Sequence, residues 1–419
     1  MVGTLRFAHP TRNSGLIEIG SNNPMRSLLL QIVAVTTINL KSIPRRILLS
    51  LSTVVAVALV VMVLLAFLAM ANGFQRTIAG SGAEDIGIVL RGGSRSEINS
   101  TVTRDQVRLV EDGPGVARAG DGKPLVSPEL YLVVDGIKRT TKTKANLPLR
   151  GIGEQGFALR KGIVVTAGRM FNRGANEIVV GKGLVREFDG FDLGSTVAFG
   201  TTRWTVVGIF EADGSVFESE IWADLPVVQS LFNRNNVVQT VRVRLTRPAT
   251  LDELKGYNDN DPRMKLDVKS EAAYFADQSS QTTDLIQQLG WPLAIAMAFG
   301  ALAGALNTMY SSVAARATEI ATLRAIGFGG FSAFVGTLIE SLLLAAVGGA
   351  IGAALTYAIF DGLSASTLGG NFTQVVFSFK LSPALVGEGV LLALLVGLIG
   401  GLFPALRAAR MPIVAGLYG

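Results

Sequence analysis

Residues 47–71 read ILLSLSTVVAVALVVMVLLAFLAMA, from Ile47 to Ala71, and hold no charged side chain. As a helix this stretch would be about 37 Å long, enough to cross a hydrocarbon layer of about 30 Å with some tilt. Arg45 and Arg46 stand at its start as membrane anchors, and Asn72-Gly73 marks its end. Outward from it, three more apolar stretches follow at about Trp291–Val313, Phe331–Phe360 and Ala384–Leu406. Each carries two glycines four apart (Gly300/Gly304, Gly348/Gly352, Gly397/Gly401), a spacing that lets helix backbones approach closely in lipid. With 48 glycines in the chain such pairs also arise by chance, so they support packing without mapping an interface. Composition agrees: 17% of residues are charged, against about a quarter in a soluble domain, and mean hydropathy is +0.43.

Between the first two spans the chain changes character. Gly73–Gly290 holds short β-rich runs at Ile86–Leu90, Leu130–Val134, Ile163–Thr166, Ile178–Val180, Trp204–Phe210 and Val238–Leu245. Asp112-Gly113-Pro114-Gly115, Asp135-Gly136 and Asp213-Gly214 read as turns between them, and Thr103/Gln106 and Thr250/Glu253 read as capping boxes that start helices. The expected fold class is therefore a membrane α-helical protein with four transmembrane helices and a large extracytoplasmic mixed α/β domain between helices 1 and 2. In segments, 1–23 is a flexible tail without signal-peptide character, and 24–46 an interfacial helix or, equally, a buried cytoplasmic one. Transmembrane helix 1 takes 47–72, the outer domain with its stalk helices 73–290, and transmembrane helix 2 291–313. A short cytoplasmic helix falls in 314–330, helix 3 in 331–360, an outer loop in 361–383, helix 4 in 384–406 and a tail in 407–419.

Charge sets the orientation. The N-terminal segment, the 314–330 segment and the C-terminus together hold ten basic residues, among them Arg45, Arg46, Arg316, Arg324, Arg407 and Arg410, against the acidic Glu18 and Glu319. Gly73–Gly290 holds 27 basic and 27 acidic residues. The excess lies on one side, which the positive-inside rule makes cytoplasmic, so Arg45, Arg46, Arg407 and Arg410 read as membrane anchors at that face. The pI near 9.6 then reflects topology, and no nucleic-acid partner is expected.

Several chemistries are excluded. There is no cysteine, and the one histidine, His9, lies in the N-terminal tail. Gly151-Ile-Gly153-Glu-Gln-Gly156 matches a dinucleotide fingerprint in letters, but a polar stretch precedes it where a buried strand is needed. Gly174–Gly183 lacks the first P-loop glycine and has Gly183 where a Mg-binding hydroxyl must stand. No catalytic residue, cofactor or metal site is expected in this chain.

Between the second and third spans, Glu319–Ile326 forms a short helix with Ile320, Leu323 and Ile326 along one side, closed by Gly327 as a C-terminal cap. Such a helix flanked by arginines could lie on lipid or enter a groove on a soluble partner. Within the membrane, Glu340 would sit about 13 Å deep in the third span, and Asn307 is a polar residue in the second that would hydrogen-bond a neighbouring helix.

The run from Asn307-Thr-Met through Arg316-x-x-Glu319-Ile320-x-x-Leu323-Arg324-Ala-Ile-Gly327, followed by Glu340-Ser-Leu-Leu-Leu and Gly348-Gly349, resembles the MacB/FtsX-type ABC transporter permeases. Asn72-Gly73-Phe74 after the first span, Ala167-Gly168-Arg169-Met170-Phe171 in the outer domain and the terminal Pro404-Ala-Leu-Arg407-Ala-Ala-Arg410 agree with that resemblance. It implies that the short helix is a coupling helix, with Arg316, Glu319, Ile320, Leu323, Arg324 and Gly327 forming or shaping the contact with an ABC ATPase. It also implies two ATPase copies binding ATP and Mg, a second permease copy or paralogue, and a periplasmic membrane-fusion adaptor as a further partner. MacB itself carries a fused ATPase domain that this sequence lacks, so the ATPase would be a separate polypeptide. The family has an acidic residue at the position of Glu340 whatever the cargo, which favours helix packing or coupling over a proton relay. Localisation would be the bacterial inner membrane, with both termini cytoplasmic. Two other functions remain open at this point: a non-transporting regulator of a cell-wall hydrolase or peptide sensor, and a membrane-anchored binding protein without ATPase.

Overall fold

The computed structural model describes residues 24–160, 162–369 and 371–414; the N-terminal tail with His9 lies outside them. In chain order the elements begin with α1 (Pro24–Ser42), α2 (Ile47–Ala79), β1 (Ile86–Arg91), β2 (Val102–Thr103) and α3 (Arg104–Glu111). There follow β3 (Val126–Ile137), β4 (Lys144–Ile152), β5 (Val164–Gly168), β6 (Glu177–Gly181), α4 (Lys182–Glu187), β7 (Thr196–Phe199), β8 (Thr202–Glu211) and β9 (Ile221–Asp224). Then come α5 (Leu225–Leu231), β10 (Val237–Val238), β11 (Thr240–Arg244), α6 (Thr250–Asn260), β12 (Leu266–Ser270) and α7 (Glu271–Ala315). The chain ends with α8 (Ala317–Ala325), α9 (Gly330–Phe360), β13 (Ser364–Leu368), β14 (Gln374–Ser378) and α10 (Pro383–Arg410).

Four of these helices are long and apolar enough to cross a membrane: α2, α7, α9 and α10. The chain divides into two compact units, and each long helix contributes to both. One unit comprises the chain up to Val57, Phe299–Gly348 and Ala393 onward; the other comprises Ala58–Ala298 and Gly349–Leu392.

In the first unit, Val54, Met309 and Leu344 form a buried cluster, and the glycines let helices touch. A β-carbon on Gly348 would fall 2.8 Å from the Val54 carbonyl oxygen, and one on Gly401 would fall 2.5 Å from the Ser341 β-carbon. Ser341 donates to the Gly397 carbonyl at 2.7 Å, so a polar group is satisfied where the backbones are close. Gly300 and Gly304 differ, having open space where a side chain would stand.

In the second unit ten strands form one sheet in the order β12-β1-β11-β3-β4-β9-β6-β8-β5, with β7 added to β8, while β2 pairs with β10 and β13 with β14. Only β4–β9 and β6–β8 are parallel. Strand periodicity gives the sheet two buried faces. Val89, Leu147, Leu149, Ile178, Val180, Val241 and Val243 point to one core, while Ile88, Leu90, Val179 and Trp222 point to another. That second core also takes Phe74 and Ile78 of α2, Tyr274 and Phe275 of α7, and Val375 and Phe377 of β14.

Three local expectations need correction. Asp135-Gly136 does not turn: it lies inside β3, and the hairpin closes later, at 138–143, with Lys142 at φ 55°. Thr250 is not an N-cap. Ala249 holds that position, and the Thr250 hydroxyl donates instead to the Arg247 carbonyl at 2.7 Å. The segment 361–383 is more than a loop, because it folds into the β13–β14 hairpin. The Thr103/Gln106 capping box is present, with both reciprocal bonds formed.

Candidate functional site

The short helix α8 begins at Arg316, its N-cap residue, and ends in a Schellman cap: Phe328 N–H bonds the Leu323 carbonyl and Gly327 N–H the Arg324 carbonyl. Gly327 has φ +103°, a left-handed conformation that a side chain would strain. Ile320 anchors the helix in a buried cluster with Val313, Ala333 and Ala408, and Leu323 is half-buried. Ile326 departs from the expected apolar row, being 70% exposed. The outward surface is therefore Thr318, Glu319, Thr322 and Ile326. Beside it opens a cavity of about 520 Å³ whose wall joins Ile38, Lys41 and Arg45 to Glu319, Thr322 and Leu323.

Behind that surface lies a buried bridge. Glu340 of α9 is 1% exposed and accepts from two guanidiniums, Arg46 at 3.1 Å and Arg316 at 3.0 Å. Arg316 also reaches Asn39 of α1, and Arg46 reaches Ser312 of α7. A carboxylate in a membrane bundle is costly unless paired, and here two cations from different elements share it. The bridge thus ties α1, the start of α2, the α7–α8 junction and α9 into one knot.

This placement revises several sequence assignments. Arg316 is buried and shapes the surface from behind without forming part of it. Arg46 is only 11% exposed at its side chain and pairs with Glu340, so it is not a headgroup anchor, whereas Arg45 is exposed. Arg407 and Arg410 are exposed too, with Arg407 over the Tyr310 ring at 5.7 Å. Arg324 binds the Met411 carbonyl and so pins the chain after α10. Asn307 is exposed; the hydroxyls of its neighbour Thr308 and of Ser52 make the interhelical bond, at 3.3 Å.

A second charged cluster escaped the sequence reading. In the sheet unit, Arg150, Arg160 and Arg242 are buried with Glu97, Glu129, Glu220 and Glu271. Arg150 holds Glu220 by two bonds of 2.8 and 2.7 Å and also reaches Glu97 and Glu129. Arg160 grips both Glu129 oxygens and lies between the Phe217 and Trp222 rings at 5.0 and 4.9 Å. Arg242 bonds Glu129 and Glu97 and pairs with Glu271, the first residue of α7. Burial opposes ionisation of Glu129, but the guanidiniums of Arg160, Arg242 and Arg150 outweigh it and hold its carboxyl well below the usual range. For Glu220 burial is again the opposing cause, and Arg150 prevails and keeps the pKa low. Burial raises Tyr131 far above an ordinary phenol, so its hydroxyl stays neutral beside Thr373. The available signal was parity: Arg150 and Arg242 sit on strands at positions that alternate with buried Leu149, Val241 and Val243.

The glycines of Gly151, Gly153 and Gly156 pack against Val228, Pro128 and Ser127, which occupy the space a side chain would need.

Two family profiles match the chain: the MacB-like periplasmic core domain over residues 50–257 and the FtsX-like permease C-terminal region over 292–413. Among relatives, the macrolide export ATP-binding/permease protein MacB of Neisseria gonorrhoeae is 24% identical over 387 residues, covering 86% of this chain and 57% of the relative. MacB 2 of Yersinia pestis is 26% identical over 293 residues, covering 64% of this chain and 41% of the relative. The chain thus spans about half the length of the relatives it matches. Of solved structures, the periplasmic region of MacB from Actinobacillus actinomycetemcomitans aligns at 16% identity and TM-score 0.35, covering 50% of this chain and 97% of that one. The extracellular domain of the transporter YknZ from Gram-positive bacteria aligns at 17% and TM-score 0.33, covering 44% and 100%. With both halves matched in the order of the sequence, the chain belongs to the MacB/FtsX-type ABC transporter permeases.

Proposed function

We propose that this chain is the membrane subunit of an ATP-driven export or mechanotransmission complex, in which α8 docks on a separate ABC ATPase. Both termini lie in the cytoplasm, because the basic excess surrounds α1, α8 and the end of α10. Two ATPase copies and a second permease complete the core, and the outer domain acts on extracytoplasmic or membrane-embedded cargo, with a membrane-fusion adaptor as a further partner. ATP and Mg are bound by the ATPase, and this chain performs no catalysis.

The single observation that carries the reading is the Arg46–Glu340–Arg316 bridge directly behind the exposed face of α8. A surface helix with no mechanical duty needs no buried ionic knot at its N-cap. A coupling helix does, because a push on Glu319 or Ile326 must reach α2 and α9 without being absorbed by the junction. From there α2 and α7 run unbroken toward the outer domain, each as a single helix of 33 and 45 residues.

The test is co-purification of the tagged chain with a co-expressed ABC ATPase, wild type against Glu319→Arg with Ile326→Asp. Both side chains are exposed, so the variant should fold. Association in the wild type and at least tenfold loss in the variant is the expected result. Undiminished association moves the docking site elsewhere. No association in either chain favours a membrane-anchored binding protein.

A further inference from the structure

The motif Asn72-Gly73-Phe74 lies near the end of α2, and the coupling route described above gives it no task. In the structure all three residues hold one stretch of chain, the returning strand of the β13–β14 hairpin and the two residues that follow it. Asn72 Nδ2 donates to the Lys380 carbonyl at 2.8 Å, and Lys380 N–H donates to the Ala69 carbonyl one turn earlier. Gly73 faces Ser378 so closely that a β-carbon there would lie 2.1 Å from the Ser378 carbonyl oxygen. Phe74 is fully buried and meets Phe377 edge-to-face, with ring centroids 5.6 Å apart.

The opposite side of the hairpin is bound to the sheet. Val376 N–H donates to Ser219 Oγ at 2.8 Å, and the Thr373 and Tyr131 hydroxyls share a bond of the same length. Asn146 Nδ2 donates to the Phe372 carbonyl. Ser219 and Tyr131 neighbour Glu220, Arg150 and Trp222, so these bonds enter the sheet beside its buried ionic cluster. At the hairpin base, Gly362 N–H bonds the Phe379 carbonyl and Leu381 N–H bonds Asp361, which closes the connection between α9 and α10.

We propose that this hairpin is a third drive to the outer domain: a strap that couples the α9–α10 pair to the sheet, with Asn72, Gly73 and Phe74 as positioning residues that clamp it to α2. The outer domain is then moved by all four spans together, and not by the two stalk helices alone. The inference rests on the coupling reading for its purpose, but its physical content, that the strap is one rigid body clamped at both ends, stands without an ATPase.

That content sets the test. Amide hydrogen exchange is followed on the full chain in lipid nanodiscs for wild type, Asn72→Ala, Gly73→Ala and Tyr131→Phe. The amides read are Lys380 at the α2 end and Val376 at the sheet end. If the strap is one body, loosening either end speeds exchange at both, by roughly fivefold for the loss of one hydrogen bond and more for Gly73→Ala. Asn72→Ala creates no clash and keeps the test valid if Gly73→Ala fails to fold. Faster exchange confined to the altered end in both Asn72→Ala and Tyr131→Phe overturns the strap. A second arm adds the ATPase trapped with vanadate. A strap that drives the sheet loses the nucleotide-dependent change at 216–220 in Asn72→Ala while ATPase association persists, and an unchanged response there overturns the drive. Absence of association in the wild type strikes the coupling reading, while the first arm still decides the strap.

Discussion

Among the described residues two clusters of buried charge tie several elements together, and the two are built differently. In the sheet unit, three arginines and four glutamates interlock, each arginine has several carboxylate oxygens, and aromatic rings cover the guanidinium faces. In the helical unit, one carboxylate serves two arginines that arrive from different elements. The first arrangement is redundant: losing one bond leaves others, and the cluster makes its surroundings a single body. The second is sparser: Arg46 and Arg316 share the one buried carboxylate of Glu340, and their other partners are the neutral Asn39, Ser42 and Ser312 and the exposed Glu319. Redundancy suits a part that must keep its shape, and a single shared hub suits a joint whose partners move together.

The largest effect is expected where that redundancy is removed at its centre. Glu129 touches all three arginines and is the carboxylate that Arg160 grips, so Glu129→Ala leaves that buried cation without its partner and should destabilise the outer domain by about 3–5 kcal/mol, read by chemical denaturation. Acid should act on the same cluster more gradually. Glu129 and Glu220 have folded pKa values below their ordinary 4.5, so they contribute stability that is present above that pH. It is lost as the pH falls from there through the folded values. Thermal melts should therefore be flat near neutrality and fall steadily below about pH 4.5. A melting temperature that rises on acidification would contradict the pairing of these carboxylates with the arginines as a source of stability.

The hub should be next. Glu340→Gln keeps the shape but takes from Arg46 and Arg316 the buried carboxylate they share, with an expected cost of about 2–3 kcal/mol and a larger loss of ATPase coupling than of folding. If Arg316→Ala restored part of the stability lost in Glu340→Gln, the pairing would be confirmed by non-additivity. The smallest effect lies outside both clusters: Thr103→Ala removes one capping box and should cost about 1 kcal/mol, with no change in coupling.

The legibility of the chain followed the same division. Apolar length exposed all four spans, β-rich runs exposed β1, β3, β5, β6, β8 and β11 but not β4, β9, β12 or the β13–β14 hairpin, and Gly327 marked the end of α8, because each of these signals is local. The Asp135-Gly136 pair misled because a turn dipeptide can sit inside a strand when packing asks for a small residue: a β-carbon on Gly136 would lie 2.3 Å from Leu147 Cδ1. Thr250 misled because its hydroxyl found the Arg247 carbonyl instead of capping the helix. Neither charged cluster could be read as a unit, since Glu97 and Glu271 are brought together by the sheet from distant parts of the chain, as Arg46 and Glu340 are by the bundle. The surface of α8 was legible in outline, but not which side of it faces outward. Of the two roles open to Arg316, forming or shaping the surface, its burial fits the second, and Ile326 joins the exposed side.

The central claim is that the outward face of α8 meets the ATPase. The chain has no cysteine, so Ile326→Cys and Glu319→Cys each give a single thiol for cross-linking to a co-expressed ATPase, with Leu231→Cys on α5 as the comparison site. ATPase adducts are expected from positions 319 and 326 and none from 231. No adduct at either α8 position, in a complex that still co-purifies, would contradict it.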